Sequence, residues 1–385
     1  MTKEFDKEIF GRVEASFVRV FGEQYAGKLS VESSMDDFVE WDSLNYIDFV
    51  CELEDEFGIE FSETESAQMF QIQHILRIIN SIVHHEPHDD VKHAYAQMRL
   101  IEQYSNDDCL QIAILSGSST REGFLPLSEM QALAESEFEE KIRIYNISVS
   151  GLVIAEMLQI VESLEHIQNL RLVIGFSPII LFGCGMNEFN RSCDLERFSL
   201  PCPSTSLILK QNGFIKNSDI VVTTIEGWCN RYLADLSLEE LRYTPYKYPT
   251  LQPWDEEKFS DEDAILRYYN NAPLNFSQSY EINVQLLKVL VDKVATKQNK
   301  LVLLNLTLHS KTESFLEDLG ELVSKTKNYI DAKIKDGSVI LVDSVKASGI
   351  TDNDYRDPGH IFKKQDLYTK ETINRLNEIF SEEKS

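Results

Sequence analysis

The order of apolar and polar residues divides the chain into two regions of different pattern. In the first 83 residues, apolar side chains recur at helical spacing in three stretches: 3–21, 43–57 and 68–83. Gly58 is a typical stop for the second stretch. The expected apolar face of that second helix comprises Leu44, Ile47, Val50, Cys51, Leu53 and Phe57. The pattern predicts a small all-α bundle of three or four helices.

From Cys109 onward, short apolar runs alternate with helical stretches. The predicted strands are 110–115, 142–147, 172–176, 301–306 and 338–342. Helices are expected between them at about 127–138, 152–164 and 313–335. Such alternation predicts an α/β domain with a mostly parallel sheet. In these sheets the functional loops gather at the carboxyl ends of the strands.

Two segments depart from these patterns. Residues 84–107 begin with a polar connector that holds four histidines, and a helix is expected at about 91–104. The histidine spacing matches no metal motif, so we interpret the connector as a solvated linker. Residues 183–298 are interpreted as a long insertion with helices, serving as a lid, a docking surface or a structural elaboration. The predicted domains are therefore 1–83 and 108–385, joined by 84–107.

Charge is unevenly distributed along the chain, which has 385 residues and a formal net charge of −27. Residues 1–90 hold 6 Lys+Arg and 21 Asp+Glu, so more than half of the excess falls in less than a quarter of the chain. This charge argues against nucleic acid and anionic membranes as partners. It favours basic partner enzymes, with a merely soluble acidic surface as the alternative.

The cysteines and the apolar runs bear on the cellular compartment. The six cysteines form no Cys-x-x-Cys pair, which favours free thiols in a reducing environment. The first residues lack an apolar signal region. The longest apolar run, 172–186, is broken by Ser177-Pro178 and is too short to span a bilayer. A cytoplasmic protein without a membrane span is expected.

Asp42 and Ser43 are residue types that start helices, and they precede the acidic second helix. A helix start presents unpaired N–H groups and the positive end of the helix dipole, so a phosphate ester on Ser43 would be favoured there. Asp42-Ser43-Leu44, with the acidic helix and 57–61 (FGIEF), resembles an acyl or peptidyl carrier protein over residues 1–83. The resemblance implies that Ser43 carries 4′-phosphopantetheine, whose thiol holds an acyl group as a thioester. The alternative is a plain helix cap.

A second group of residues follows the first predicted strand, in the turn 117–123 (GSSTREG). The turn lacks the Gly-Lys-Ser/Thr of a P-loop and the glycine spacing of a dinucleotide site. It displays a serine at a strand-to-helix turn, where helix N–H groups can polarise an oxyanion. A nucleophilic serine needs a base, and the histidines of this region are His166, His309 and His360. Asp357 and His360 are three residues apart, which suits a paired acid and base.

The α/β region resembles the SGNH (GDSL-type) hydrolases, a three-layer, flavodoxin-like fold, over residues 109–181 and 300–380. The motifs that carry the resemblance are Gly117-Ser118-Ser119 with Gly123, Asn146 with Ser150-Gly151, and Asp357 with His360. The resemblance implies Ser119 as nucleophile, His360 as general base and Asp357 as third member. The N–H groups of Ser119 and Gly151, with Asn187 as a further donor, are implied for the oxyanion hole. Ser118 stands where the family has Asp. His309 is the alternative base.

Two hypotheses follow for the whole chain. In the first, Ser43 carries an acyl thioester and Ser119 transfers the acyl group to an alcohol acceptor or to water, so the protein is a carrier fused to an acyltransferase, esterase or thioesterase. Fusion would raise the effective concentration of the substrate. The implied partners are a phosphopantetheinyl transferase, an acyl- or aminoacyl-loading enzyme and a small-molecule acceptor. In the second hypothesis, the α/β region is catalytically inactive and binds partner enzymes.

Overall fold

A computed structural model describes residues 7–61, 63–84, 87, 89–177, 181, 197–213, 222–243, 276–298, 300–306, 308–312, 314 and 320–382. Its helices are α1 (Lys7–Phe21), α2 (Ser43–Phe57), α3 (Glu63–Ser66), α4 (Ile72–His84), α5 (Asp89–Gln103), α6 (Ser118–Gly123), α7 (Leu127–Glu137), α8 (Ile154–Leu164), α9 (Pro203–Gln211), α10 (Ile225–Tyr232), α11 (Leu238–Tyr243), α12 (Phe276–Gln298), α13 (Gly320–Lys335), α14 (Ser344–Ala347) and α15 (Gln365–Glu382). The strands are β1 (Leu110–Ser116), β2 (Ile142–Ser148), β3 (Leu170–Phe176), β4 (Leu301–Asn305), β5 (Val339–Val342), β6 (Tyr355–Asp357) and β7 (His360–Ile361).

Helices α1, α2 and α4 share one hydrophobic cluster, and we call residues 7–84 the N-terminal unit. Phe17 lies within this cluster, with its ring centroid 5.0 Å from that of Phe38 and 5.4 Å from those of Trp41 and Phe49. Edge-to-face contacts of this kind add to the free energy gained by burying the rings. The loop between α1 and α2 is therefore part of the core, through Phe38 and Trp41.

The apolar face of α2 differs from the predicted one. Phe49 and Leu53 are fully buried, whereas Ile47 is 60% exposed and Cys51 is also exposed. The packing of Phe49 against the aromatic rings sets the rotation of the helix. Ile47 and Cys51 were assigned to the buried face because they fit helical spacing, and that assignment is wrong.

Strands β1 to β5 form one sheet in the order β2-β1-β3-β4-β5, with every neighbouring pair parallel. The predicted α/β architecture is confirmed. Successive β1 residues face opposite sides: Ala113 packs with α5, α8 and α12, whereas Ile112 packs with α7 and α15. The chain leaves β1 for β2 on one side and returns to β3 on the other. In sheets of this strand order, ligands generally bind at the carboxyl ends of the strands where the order reverses, which here are β1 and β3.

Three side chains cover the free edge of β2. Gln97 of α5 accepts a hydrogen bond from the Asn146 N–H and donates one to the Asn146 carbonyl, both at 2.6 Å. Gln131 of α7 pairs in the same way with the Ile142 carbonyl and the Ile144 N–H. Arg242 of α11 donates to the Ile144 carbonyl at 2.5 Å. These contacts satisfy backbone groups that an edge strand would otherwise expose.

Two helices from the predicted linker and insertion belong to the α/β core. In α5, predicted as a connecting helix, the buried side chains include Tyr95, Met98 and Ile101, which join the same cluster as β1 and β2. Helix α12, at the end of the interval 183–298, buries Leu290 and Val294 against this face. It precedes β4 and so supplies the helical crossover that parallel strands require.

The N-terminal unit contacts the α/β region through α3 and the residues on either side of it. Arg231 of α10 donates to the Glu65 carboxylate at 2.7 Å and to the Glu60 carbonyl at 3.2 Å. Gln68 exchanges two hydrogen bonds with the backbone of Val222, at 3.1 and 3.2 Å. Glu65 is buried, so this ion pair lies within the contact.

Candidate active site

Three side chains at the carboxyl edge of the sheet form a hydrogen-bonded chain. His360 Nδ1 lies 2.7 Å from Asp357 Oδ1, and His360 Nε2 lies 2.9 Å from Ser118 Oγ. Because a carboxylate only accepts, Nδ1 donates, and Nε2 is left to accept the serine proton. Ser118 opens α6 directly after β1, while Asp357 and His360 come from the β6–β7 hairpin. The sequence therefore correctly paired Asp357 with His360.

The serine in this chain is Ser118, whereas the family motif pointed to Ser119. Successive residues of a helix are rotated by about 100°, so adjacent serines at the start of α6 cannot both face His360. In the structure, His360 Nε2 accepts the hydrogen bond of the Ser118 hydroxyl. The serine that the structure pairs with His360 is therefore Ser118, at the position where the family has Asp. Sequence alone does not reveal the rotation of this short helix.

The turn after β2 brings Gly151 to the same edge. Gly151 has a φ of 60°, a left-handed conformation that glycine adopts without a steric penalty. The Val149 N–H donates to the Ser116 carbonyl at 3.0 Å, which ties this turn to the end of β1. The sequence predicts that Gly151 and the serine turn lie close together. The register of β1 and β2 agrees, because it brings the two turns side by side.

Two charged side chains fix the orientation of this turn. Arg197 donates to the carbonyls of Ser150 and Gly151, at 2.5 and 3.0 Å, and is itself paired with Glu156. Because the peptide unit is planar and trans, the Gly151 N–H points away from Arg197. Asp90 of α5 accepts from the Ser150 N–H at 2.9 Å. Neither Arg197 nor Asp90 was identified as a site residue from the sequence, because both are distant along the chain from this turn.

Asn187, the further oxyanion donor implied by the resemblance, lies outside the described residues.

Behind Ser118, the space is closed by β3. A Cβ placed on Gly175 would lie 2.2 Å from Ser116 Oγ and 2.7 Å from Thr120 Oγ1. Only a residue without a side chain fits there, so Gly175 belongs to the site. The sequence signal for it is a glycine inside a predicted strand, which often marks close approach of another part of the chain.

His309, the alternative base, contacts the β6–β7 hairpin that carries Asp357 and His360; we call this hairpin the triad loop. The backbone N–H of His309 donates to the Pro358 carbonyl at 3.2 Å, and its ring Nδ1 accepts from the backbone N–H of Lys311 at 3.2 Å. Its Nε2 lies 3.9 Å from Asp352 Oδ1. Burial acts to raise the pKa of Asp352, but hydrogen bonds from Ser310 outweigh it and the pKa is lowered. These contacts give His309 a structural place beside the triad.

The predicted attachment serine opens a helix, as expected. Helix α2 begins at Ser43, and the Asp42 carboxylate caps it by accepting from the Asn45 N–H at 3.0 Å. The Asn45 side chain donates to the Glu40 carbonyl at 2.9 Å, which fixes the entry of the chain into the helix. The first turn of α2 thus provides the N–H groups and dipole that favour a phosphate.

Other predicted features are addressed only by the described residues. There, no group of three or more His, Cys, Asp or Glu residues could hold a metal ion, and no helix is long and apolar enough to cross a bilayer. The four cysteines in these ranges are free thiols, whereas Cys184 and Cys193 lie outside them. Of the connector histidines, His85 and His88 are likewise outside, and His93 Nδ1 lies 2.9 Å from the Leu241 carbonyl.

No protein-family model matches the chain, and no curated protein matches it.

Proposed function

We propose that the α/β region is a serine acyltransferase or esterase with Ser118 as nucleophile, His360 as general base and Asp357 as its partner. The observation that carries this proposal is the chain of two hydrogen bonds that joins the three side chains. A base within hydrogen-bond reach of a serine, itself oriented by a carboxylate, is the arrangement that nucleophilic catalysis needs.

The proposed reaction proceeds in two steps, acylation and deacylation of Ser118. Ser118 Oγ attacks an acyl carbonyl while its proton passes to His360 Nε2, and Asp357 stabilises the imidazolium that forms. The bond to the leaving group then breaks, and His360 returns the proton to that group. An alcohol or water, deprotonated by His360, attacks the ester on Ser118. The bond between Ser118 Oγ and the acyl group then breaks, His360 returns the proton to Ser118 Oγ, and the acyl product leaves. The N–H groups of Ser118 and Gly151 are the proposed oxyanion donors.

We further propose that residues 1–83 are a four-helix carrier domain with 4′-phosphopantetheine on Ser43. The capped start of α2 fits the phosphate of this group, and its exposed side offers Ile47 and acidic residues to partner enzymes. When bound, the group would supply a thiol that holds an acyl chain as a thioester. The chain would then be a carrier fused to an SGNH-type enzyme acting in a biosynthetic pathway.

A fluorophosphonate probe tests the catalytic assignment, with the modified residue located by fragmentation of the labelled peptide. We expect labelling of Ser118, no labelling in Ser118→Ala, and normal labelling in the matched variant Ser119→Ala. His360→Ala should slow labelling by about 10²-fold or more, because the base is lost. Labelling of Ser119, or no labelling of the wild type, contradicts the assignment. The second of these results would favour a non-catalytic binding domain.

Intact mass after incubation with a phosphopantetheinyl transferase and coenzyme A tests the carrier. Addition of phosphopantetheine is expected on the wild type and on Ser118→Ala, and none on Ser43→Ala. With acyl-coenzyme A donors, the acyl mass should decay on the wild type and persist on Ser118→Ala. If the wild type gains no mass, the carrier proposal fails while the triad proposal stands.

A further inference from the structure

Five charged side chains of alternating sign form a chain behind the triad: Asp90, Arg121, Glu122, Arg356 and Asp357. Arg121 lies 3.5 Å from Asp90 Oδ2 and 3.2 Å from Glu122 Oε1. Arg356 binds the other oxygen of Glu122, and its Nε lies 3.2 Å from Asp357 Oδ2. Asp90, Arg121 and Glu122 are all less than 9% exposed. The chain therefore runs through poorly solvated space, where charges interact strongly.

The two oxygens of Asp357 have different partners. Oδ1 accepts from His360 Nδ1 and from the Gly359 N–H, at 2.7 and 3.0 Å. Oδ2 faces Arg356 as an ion pair without hydrogen-bond alignment. Arg356 thus leaves Oδ1 to the histidine, and it acts on the carboxylate through its charge and its position.

Glu122 offsets the charge of Arg356. An unopposed guanidinium beside Asp357 would weaken the attraction between that carboxylate and a protonated His360. Glu122 is only 3% exposed and binds Arg356 directly, so the pair presents little net charge to the triad. With Arg356 removed, Glu122 would retain its pair with Arg121, and with Glu122 removed, Arg356 would retain its pair with Asp357. In each case the net charge beside the triad changes by one unit.

We propose that Arg356 and Glu122 are positioning residues of the triad, which hold the Asp357 carboxylate in place and set the charge that His360 experiences. The inference rests on the proposed function of Ser118, His360 and Asp357. The two residues act through Asp357, because Arg356 contacts that carboxylate and Glu122 contacts Arg356.

Further charged or titratable groups lie on the elements around His360. Arg121 and Asp90 continue the chain of charges on α6 and α5. His309, with Asp352, contacts the backbone of the triad loop, and Lys364 pairs with Asp354 at 2.8 Å beside β7. These groups are unchanged in the variants below, so they contribute equally to every titration.

The test compares Arg356→Gln, Glu122→Gln and the double variant. The titration of His360 is followed by NMR of protein labelled with ¹³C at histidine Cε1, and His360→Gln identifies its signal. Arg356→Gln removes a positive charge and should raise the midpoint. Glu122→Gln removes a negative charge and should lower it. A shift of about half a pH unit or more is expected in each, because a change in a nearby charge alters a protonation equilibrium by this order. The double variant should titrate near the wild type.

The pH profile of fluorophosphonate labelling at Ser118 gives a second readout, and its midpoint should move in the same directions. The control replaces Arg375 and Glu371, an exposed ion pair on α15, with glutamine, and should leave the titration unchanged. Equal midpoints in all variants, or shifts of one sign in both single variants, would overturn the inference. The double variant keeps the test decisive if one single variant fails to fold. If Ser118 is never labelled while the midpoints move in opposite directions, the proposed function fails and the inference about His360 stands.

Discussion

Gly175 determines how closely β3 approaches the turn that carries Ser118. The hydroxyls of Ser116 and Thr120 occupy the space where a side chain at position 175 would lie. Both are fully buried, and both flank the short segment that leads from β1 into α6. The position of Ser118 therefore depends on a residue that has no functional group.

We predict that Gly175→Ala destabilises the fold and displaces Ser118. The added methyl group would overlap two buried side chains, and overpacking of this kind costs about 1–3 kcal/mol. Urea unfolding should show the loss, and fluorophosphonate labelling should slow. The matched control is Gly11→Ala, because Gly11 lies in α1 with open space around it. That control should raise stability by about 0.5–1 kcal/mol, since alanine favours helix. Equal stabilities for the two variants would contradict the prediction.

Helix α5 links the edge of the sheet to the turn that carries Gly151. Its Gln97 completes the hydrogen bonds of Asn146, and its Asp90 accepts from the Ser150 N–H. One helix thus fixes both β2 and the turn that follows it. Because α5 comes directly before β1, its packing also determines where the α/β region begins.

Gln97→Ala should lower the free energy of unfolding, because it leaves the N–H and the carbonyl of Asn146 buried without partners. Each unsatisfied group of this type costs about 1–3 kcal/mol. Gln103→Ala, an exposed glutamine on the same helix, is the control and should change stability little. Chemical denaturation of both variants measures the difference. If Gln97→Ala is as stable as Gln103→Ala, then Gln97 does not hold the edge of β2.

The contact between α5 and α11 predicts a pH dependence of stability. Burial lowers the pKa of His93 from its ordinary value, against the opposing effect of its hydrogen bond to the Leu241 carbonyl. The unfolded chain therefore binds a proton more readily than the folded chain. The contribution of neutral His93 is complete above the unfolded pKa, about 6.5, and is lost as the pH falls below it. Melting temperatures at pH 8 and pH 5.5 should differ more for the wild type than for His93→Gln. The opposite order would show that His93 is not buried in its neutral form.

For the whole fold, the features that could be predicted from the sequence are those that a local residue pattern determines. Strands β1 to β5 were located because buried parallel strands are continuous apolar runs. Asp357 and His360 were paired because they lie three residues apart. The choice of Ser118 over Ser119 depends on the rotation of α6, and the exposure of Ile47 depends on the packing of α2. The Glu122–Arg356 pair joins residues that are 234 positions apart, so only the folded chain brings it together.

The same limit applies to the contact between the N-terminal unit and α10, where Arg231 meets Glu65. Removing one partner should leave a buried unpaired charge, a loss of about 3–5 kcal/mol that frees the two regions to move apart. We therefore expect Arg231→Gln to raise the radius of gyration in small-angle scattering and to separate the thermal transitions of the two regions. Adding Glu65→Gln removes the second charge and should restore part of the lost stability. A scattering curve unchanged in Arg231→Gln would mean that the Gln68–Val222 hydrogen bonds and apolar packing hold the contact alone. In that case the phosphopantetheine arm proposed on Ser43 would have to reach Ser118 by its own movement.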